Sequence, residues 1–251
     1  MYKNYHKKTL NKRKSKMSRR NKWVDISPVD EKNIVIPQKG MREEFKPRTF
    51  NQKNYVRNMV ENEVVFCYGP AGSGKTCCAI GLACQYLYHG KVDRIILSRP
   101  LIQCGRNGGG LGFLKGDLNE KVSPFMEPVL DEIDFFLGVQ ERIRLINEKA
   151  IEIKPIELIK GKNFKNCFMI CDEAENCEWE QLKTFATRIC EGTKCVFSGD
   201  IKQTDVNHNN CAFKEMMERL EGVEGVAISE LKIEDIQRSG VVGRILARLE
   251  S

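Results

Sequence analysis

The fold of this chain is indicated first by eight residues, which read Gly69-Pro70-Ala71-Gly72-Ser73-Gly74-Lys75-Thr76. An apolar run of strand length, Val64–Tyr68, precedes them, and a stretch with helical character, Lys75–Tyr88, follows them. The pattern G-x-x-x-x-G-K-[ST] between a strand and a helix is typical of a phosphate-binding loop. Its glycines let successive backbone N–H groups turn toward phosphate oxygens, and the helix adds the positive end of its dipole. We therefore predict that all eight residues bind the phosphates of a nucleotide.

Two side chains of this loop have separate predicted roles. The ammonium group of Lys75 is expected on the β- and γ-phosphates, where it acts in catalysis as well as in binding. The hydroxyl group of Thr76 is expected to be a ligand of Mg²⁺.

Acidic residues end a second apolar run, residues 167–171. Asp172 follows this run directly and is predicted to hold Mg²⁺, and Glu173 is predicted to orient or deprotonate the attacking water. A third apolar run, residues 194–198, leads into Gly199-Asp200 and then Gln203. Because ligands bind at the carboxyl ends of the strands in α/β folds, these polar groups are expected at one edge of a sheet.

Apolar strand-like runs and helix-like runs alternate along the rest of the chain, which predicts an α/β fold with a parallel sheet between helices. The predicted strands are residues 64–68, 94–98, 151–154, 167–171, 194–198 and 226–229. The predicted helices are residues 75–88, 127–136, 140–149, 178–190, 212–220 and 234–249.

Composition limits the class of protein. The chain has 251 residues, of which 41% are hydrophobic and 30% charged, and this mixture excludes wholesale disorder, a collagen repeat and a coiled-coil rod. The sequence contains no apolar run near the roughly 18–20 residues of a membrane span, and no apolar segment follows the basic N-terminus as in a secretory signal. We expect no membrane association and a cytoplasmic protein, in the host cytoplasm if a phage encodes it.

The charge is concentrated at the N-terminus. Residues 1–22 hold ten lysines and arginines and no acid, which leaves 31 cations and 34 anions on the other 229 residues. We expect three parts: a basic disordered tail (1–22), an extended lead-in (23–50) and a folded ATPase-like domain (51–251). The tail is suited to a nucleic-acid backbone, and a merely solubilising extension is the alternative.

Eleven cysteines occur without any C-x-x-C pair. Several lie in or beside the apolar runs, where a free thiol behaves as a small hydrophobic group. Reduced thiols are therefore expected, and neither a disulfide framework nor a structural zinc site.

Several separate motifs resemble those of PhoH-like ATPases, a family related to the motor core of superfamily 1 helicases. The resemblance covers roughly residues 45–250, and the block Leu111–Leu118 is its most family-specific part. The other motifs are the loop at 69–76, Ser98-Arg99-Pro100, Asp172-Glu173-Ala174-Glu175-Asn176, Thr187-Arg188, Gly199-Asp200-Ile201-Lys202-Gln203-Thr204-Asp205 and Asp235-Ile236-Gln237-Arg238.

This resemblance implies a single RecA-like P-loop domain that binds and hydrolyses ATP with Mg²⁺. It implies that Gln52 reads the adenine edge, with a surface glutamine as the alternative. It also implies that Gln203 senses the γ-phosphate and that Arg238 reaches a phosphate. Arg188 is a second candidate for that arginine, with a surface ion pair as the alternative for either one. One RecA-like domain has no second domain to close against, so a homo-oligomeric ring, a hexamer by resemblance, is expected.

The sequence departs from the family pattern at two positions. Glu175 stands where the family usually has Gln, which adds negative charge near the γ-phosphate, and Lys115 stands where it usually has Pro. Single-stranded nucleic acid, RNA more than DNA, is the expected partner. Its candidate contacts are Arg99, Lys115, the glycine-rich residues 103–110 and the tail.

Two other functions remain open at this point. One is a nucleotide-binding protein with slow turnover that acts as a nucleic-acid-binding or assembly factor, which Glu175 favours. The other is a small-molecule kinase, which also uses such a loop; the acids at the ends of two strands fit water activation better than a kinase.

Overall fold

A sheet of parallel strands lies at the centre of the computed structural model. The structure describes residues 40–100, 118–159, 161, 163–201, 211–236 and 248, with the side chains of residues 118–124 excepted. In chain order the strands are β1 Val64–Tyr68, β2 Arg94–Arg99, β3 Ile151–Pro155, β4 Cys167–Cys171, β5 Lys194–Gly199 and β6 Val226–Glu230. Their order across the sheet is β3-β2-β4-β5-β1-β6, and every neighbouring pair is parallel. The predicted α/β fold with a parallel sheet is therefore confirmed.

Helices cover both faces of this sheet. They are α1 Phe50–Glu61, α2 Lys75–Tyr88, α3 Leu118–Leu137, α4 Val139–Asn147, α5 Trp179–Ala186 and α6 Ala212–Leu220. Residues alternate between the faces along each strand, so Val65 joins the core under α1 to α4, whereas Phe66 joins the core under α5 and α6. Both faces are apolar because both are covered, which accounts for the nearly unbroken apolar runs in the sequence.

Four helices differ from the prediction, and the smallest difference is in α4, which spans Val139–Asn147 where residues 140–149 were predicted. Helix α1 was not predicted. Helix α3 begins nine residues before the predicted start at 127 and contains both Pro124 and Pro128. Helix α5 ends at Ala186 instead of 190. The chain beyond it pairs with Phe164, whose N–H donates to the Arg188 carbonyl (2.9 Å) and whose carbonyl accepts from Cys190 (2.9 Å).

The described end of the predicted lead-in packs on the core. Phe45 is buried, its ring meets that of Phe136 edge to face at 5.9 Å, and the Arg42 N–H donates to the Phe136 carbonyl at 2.7 Å. Residues 42–45 thus lie against helix α3 before α1 begins. The predicted tail and the remainder of the lead-in, residues 1–39, lie outside the described residues.

The chain after β6 also differs from its prediction. Ile233–Asp235 form one turn of 3-10 helix, and Ile236 is extended, so the predicted last helix does not begin at residue 234. Residues 237–247, where most of that helix was predicted, lie outside the described residues. Within the part of the chain that the structure describes, no helix has the length and apolar content that crossing a bilayer requires.

Gly81 lies in helix α2 at the point where aromatic rings cross it. A Cβ atom there would lie 2.5 Å from the Phe45 ring and 2.8 Å from the Phe136 ring. Alanine usually stabilises a helix relative to glycine, but this clash dominates, so we expect Gly81→Ala to lower the free energy of unfolding by about 1–3 kcal/mol. Chemical denaturation measures this change.

Gly40→Ala is the matched control, since its added methyl would meet only the Tyr88 hydroxyl, at 3.6 Å. We expect that change to alter stability by less than about 0.5 kcal/mol. Equal stability of the two variants would contradict the described packing of residues 40–45 on α2.

Candidate active site

The loop between β1 and α2 has the curled backbone that its glycines predict. Gly69 has φ +154° and Gly74 has φ +94°, backbone conformations that residues with a side chain rarely adopt. A Cβ on Gly69 would overlap the Leu231 carbonyl, and one on Gly74 would lie 2.8 Å from Gln52 Nε2. Glycine is therefore required at both positions by backbone conformation and by close neighbours.

Lys75 lies with its ammonium group inside this curl. Its Nζ donates to the carbonyl oxygens of Gly69 (2.6 Å) and Pro70 (3.0 Å). Ser73 is fully buried, and its hydroxyl donates to the same Pro70 carbonyl at 2.8 Å. Backbone carbonyl groups thus hold the Lys75 ammonium group at the centre of the loop, and the Ser73 hydroxyl helps to fix the loop's shape.

Asp172 joins the loop to the middle of the sheet. Its Oδ1 accepts hydrogen bonds from the hydroxyl groups of Thr76 (2.7 Å) and Ser198 (2.8 Å), and the residue is 7% exposed. Strand β5 lies between β4 and β1, so Ser198 on β5 fills the space between the acid and the loop. The two residues predicted to bind Mg²⁺, Thr76 and Asp172, are in direct contact.

Glu173 follows Asp172 in an unusual backbone conformation. Its φ is +53°, in the left-handed region that a residue with a side chain seldom occupies. Such a conformation costs of order 1–3 kcal/mol and is kept where the surroundings enforce it, commonly at functional sites. Its carboxylate forms an ion pair with Arg99.

Arg99 is the last residue of β2 and was predicted to contact nucleic acid. The structure places its guanidinium against the two acids instead, with Nε 3.5 Å from Asp172 Oδ2 and an NH2–Glu173 ion pair. A third nitrogen donates to the Phe125 carbonyl at 2.9 Å. The side chain is only 10% exposed. Sequence reasoning missed this role because nothing in the spacing of residues 99 and 172 shows that β2 and β4 are neighbours.

Glu175 is buried beside the same edge. It lies over the end of β5, where a Cβ on Gly199 would be 2.6 Å from its Oε2, and that oxygen has no hydrogen-bond partner. Burial raises the pKa of this carboxyl group to about 7, and the charge of Asp172 adds to the increase, although backbone N–H groups and Lys75 oppose it. The carboxyl group is therefore close to half protonated at neutral pH.

Gln52 lies beneath the loop at the start of α1. Its Nε2 donates to the Ser73 carbonyl (2.9 Å), and its Oε1 accepts from the backbone N–H groups of Arg48 (2.9 Å) and Thr49 (3.4 Å). Thr49 in turn caps the helix by accepting from the Gln52 N–H, which completes a capping box. The structure thus gives Gln52 a firm link to the loop, and its contact with adenine stays a prediction.

Asp235 holds this capping box in place from the far end of the chain. Its carboxylate is 1% exposed and accepts from the hydroxyl of Thr49, from Asn51 Nδ2 (2.9 Å) and from the Lys232 N–H (2.7 Å). Within the family motif at 235–238 the sequence predicted a role for Arg238 and none for Asp235. The Thr-x-x-Gln capping pattern at 49–52 was the available sequence signal for α1.

Arg188 lies at the opposite edge of the sheet from the loop. Its carbonyl accepts from Phe164, three residues before β4 begins, whereas the loop and the acids lie where strands end. A strand of five residues spans roughly 16 Å, which exceeds the reach of one arginine side chain. In this chain Arg188 therefore does not reach the phosphate-binding loop.

Several predicted site residues lie outside the described residues. They are Gln203, Arg238, Lys115 and residues 103–110. Asp200, at the end of β5, is described and is 6% exposed.

The described cysteines are free thiols. All ten of them are unpaired, and most are buried. Burial raises the pKa of Cys77 to about 12 and that of Cys167 to about 11, so both stay protonated near neutral pH.

Comparison with known proteins places this arrangement in a family. The family model described as "PhoH-like protein" matches residues 44–250. A PhoH-like protein of Synechocystis sp. is 38% identical over 217 residues, which are 86% of this chain and 65% of the relative. A PhoH-like protein of Bacillus subtilis is 35% identical over 235 residues, which are 92% of this chain and 71% of the relative. The chain thus spans about two thirds of the length of these relatives.

A solved structure shares the fold. The large terminase from a thermophilic bacteriophage matches with a TM-score of 0.54 and 11% identity, over 81% of this chain and 50% of that chain. This likeness concerns the RecA-like P-loop fold alone. Since the family model extends from the capping region before α1 through the loop and both acidic strand ends, the chain belongs to the PhoH-like protein family.

Proposed function

We propose that this chain is an ATPase that hydrolyses ATP with Mg²⁺ and couples hydrolysis to single-stranded nucleic acid, RNA in preference to DNA. One observation carries the hydrolytic part: Thr76 and Ser198 both bind one oxygen of Asp172, beside the loop that holds Lys75. This contact brings the phosphate-binding and acidic motifs to one place.

The donor groups suit a nucleotide and its metal ion. The backbone N–H groups of the loop and the Lys75 ammonium are hydrogen-bond donors that suit phosphate oxygens. Thr76 and Asp172 offer the oxygen ligands that Mg²⁺ prefers. When bound, the ion neutralises charge that develops on the transferring phosphoryl group. The large terminase of the thermophilic phage, which has a similar fold (TM-score 0.51), is also known in complex with ADP.

The chain's own residues divide the work in this proposal. Lys75 exchanges its contacts with Gly69 and Pro70 for phosphate oxygens, which costs little because one set of acceptors replaces another. Glu173 orients the water and accepts its proton. Gln52 contacts adenine, and Gln203 and Arg238 contact the γ-phosphate end, by the resemblance to the family.

Coupling to nucleic acid rests mainly on charge. Ten cations in residues 1–22 form a polyelectrolyte segment that gains affinity by releasing counterions from a phosphate backbone. Lys115 and residues 103–110 are further proposed contacts. A reducing compartment supplied with ATP suits the free cysteines, so the proposal includes a cytoplasmic location.

Two features of the site favour a second function, nucleotide binding with slow turnover. The pairing of Glu173 with Arg99 and the buried acid at 175 both favour a protein that binds nucleotide and turns it over slowly. Such a protein would act as a nucleic-acid-binding or assembly factor without motor activity.

We expect Lys75→Ala to reduce Mg²⁺-dependent ATP hydrolysis by at least about 100-fold, because the loop loses the cation that stabilises the transferring phosphoryl group. The measurement is turnover with no polymer, with single-stranded RNA and with single-stranded DNA. The RNA arm is expected to show the larger stimulation. Lys165→Ala, which changes an exposed lysine at the opposite edge of the sheet, is the control and should not alter turnover.

Turnover that ignores both polymers would contradict coupling to nucleic acid. Nucleotide binding without Lys75-dependent turnover would favour the slow, non-motor function.

We expect wild-type stability and turnover to fall relative to Glu175→Gln as pH rises. The folded-state pKa of about 7 is above the ordinary value of 4.5, so the folded protein binds more protons than the unfolded chain between these values. Rising pH therefore removes stability through this window, up to about 3 kcal/mol, and the loss persists above pH 7. Thermal unfolding and turnover at pH 5.5, 7 and 8.5 test this.

Glutamine cannot ionise, so the variant should show a flatter pH profile and higher turnover at pH 8.5. Glu180→Gln on the exposed face of α5 is the control, with its side chain 74% exposed. Parallel pH profiles for wild type and Glu175→Gln would show that the acid at 175 does not titrate as described.

The proposal includes a homo-oligomeric ring, a hexamer by resemblance, in which a neighbouring copy supplies an arginine. We expect light scattering to show a mass near six copies in the presence of ATP and Mg²⁺. An Arg188→Ala chain mixed with a Lys75→Ala chain tests whether the arginine acts between copies, since each variant supplies what the other lacks. A monomer that hydrolyses ATP at the full rate would exclude the ring.

A further inference from the structure

The guanidinium group of Arg99 lies between the two acidic residues that follow β4 and the backbone of helix α3. Its three guanidinium nitrogens go to three different acceptors: Asp172 Oδ2, Glu173 and the Phe125 carbonyl. Both Arg99 and Asp172 have side chains only 10% exposed, while that of Glu173 is 35% exposed. Glu173 is thus the partner that solvent and ligands can reach.

The order of the strands shows which neighbouring elements each acid is bonded to. Strand β2 is on one side of β4, and β5 and β1 are on the other. Asp172 Oδ1 is bonded toward β5 and the loop, through Ser198 and Thr76, whereas Glu173 is bonded toward β2 through Arg99. Asp172 therefore lies between the loop and Arg99, since its Oδ2 also faces that guanidinium, whereas the carboxylate proposed to activate water is paired with the arginine of β2.

We propose that Arg99 is a positioning residue that acts as a latch on Glu173. It withholds the carboxylate from the attacking water until a phosphate group takes over the guanidinium. Phosphate is the chemistry that fits, because a planar guanidinium binds carboxylate and phosphate through the same paired N–H groups. This inference rests on the proposed ATPase function and adds a control step to it.

Two sources could supply that phosphate, the backbone of single-stranded nucleic acid or the nucleotide itself. Release by nucleic acid would make hydrolysis depend on the polymer. Release by the nucleotide would make part of its binding energy serve to free Glu173, which raises the apparent KM for ATP. The two sources therefore leave different kinetic signatures.

The test compares wild type with Arg99→Gln, with ATP alone and with ATP plus single-stranded RNA. If nucleic acid releases the latch, kcat with ATP alone should rise about tenfold in the variant, and RNA should add little. The tenfold rise is expected if the released state is populated at roughly 10% in wild type without RNA. If the nucleotide releases it, KM for ATP should fall with kcat unchanged. Either result supports the latch and assigns its release.

Arg94→Gln is the matched control, because Arg94 begins the same strand and also pairs with a glutamate, Glu152, at 3.1 Å. It should leave kcat, KM and RNA stimulation unchanged. Arg99→Lys keeps the buried charge but reaches fewer acceptors, so it should give a smaller change in the same direction as Arg99→Gln. The lysine variant also serves if the glutamine variant does not fold.

Lower kcat in both Arg99 variants, with and without RNA, would overturn the proposal, since Arg99 would then hold Glu173 in its working position. Unchanged kcat and KM would overturn it as well. Absence of Lys75-dependent turnover in wild type and in both Arg99 variants would instead refute the proposed ATPase function, and the latch with it.

Discussion

The contact between Asp172 and Thr76 is the constraint on which the rest of the site depends. It joins the end of β4 to the start of α2 across the intervening strand β5, and Ser198 on β5 completes it. A carboxylate with 7% exposure is costly unless it is bonded, and here both of its oxygens are engaged, by hydroxyl groups on one side and by Arg99 on the other. Moving any one of these strands would deprive a buried charge of one of its partners.

A second set of bonds ties the loop to both ends of the domain. Gln52 supports the loop from α1, and Asp235, after the last strand, holds the cap of that helix. The chain from Asp235 leads directly to Arg238 in the sequence. The loop is therefore linked to the start of the segment that carries the predicted phosphate-contacting arginine, with buried side chains, Gln52 and Asp235, at the two ends of the link.

The sequence predicted the fold well because the signals were local and strong. The loop 69–76 has a fixed pattern, and strands buried on both faces leave apolar runs that are easy to delimit. Helix α1 was missed because its signal was a capping box, Thr49 with Gln52, without a continuous apolar stripe. The first turns of helix α3, residues 118–126, were missed, and this part of the helix includes Pro124, a residue that usually interrupts helices.

The partners of the acids could not be read from the sequence for a different reason. Arg99 and Glu173 are 74 residues apart, and their meeting depends on the order β2-β4 in the sheet, which parallel strands leave open. The same holds for Asp235, whose carboxylate crosses the domain to residues 49 and 51. Such pairings follow from topology, which no spacing in the chain encodes.

The balance of charge at the carboxyl edge of the sheet accounts for two unusual groups found there, the buried acid Glu175 and the buried arginine Arg99. Asp172, Glu173, Glu175 and Asp200 lie at or just beyond the ends of β4 and β5, against the cations of Lys75 and Arg99. A triphosphate brought to such an edge meets strong repulsion unless the negative charge of the protein is reduced. Burial favours the neutral, protonated form of Glu175 and so reduces this negative charge. Arg99 reduces it by pairing directly with Asp172 and Glu173. On this view both groups adjust the same electrostatic potential, one set by pH and the other by whichever anion competes for the guanidinium.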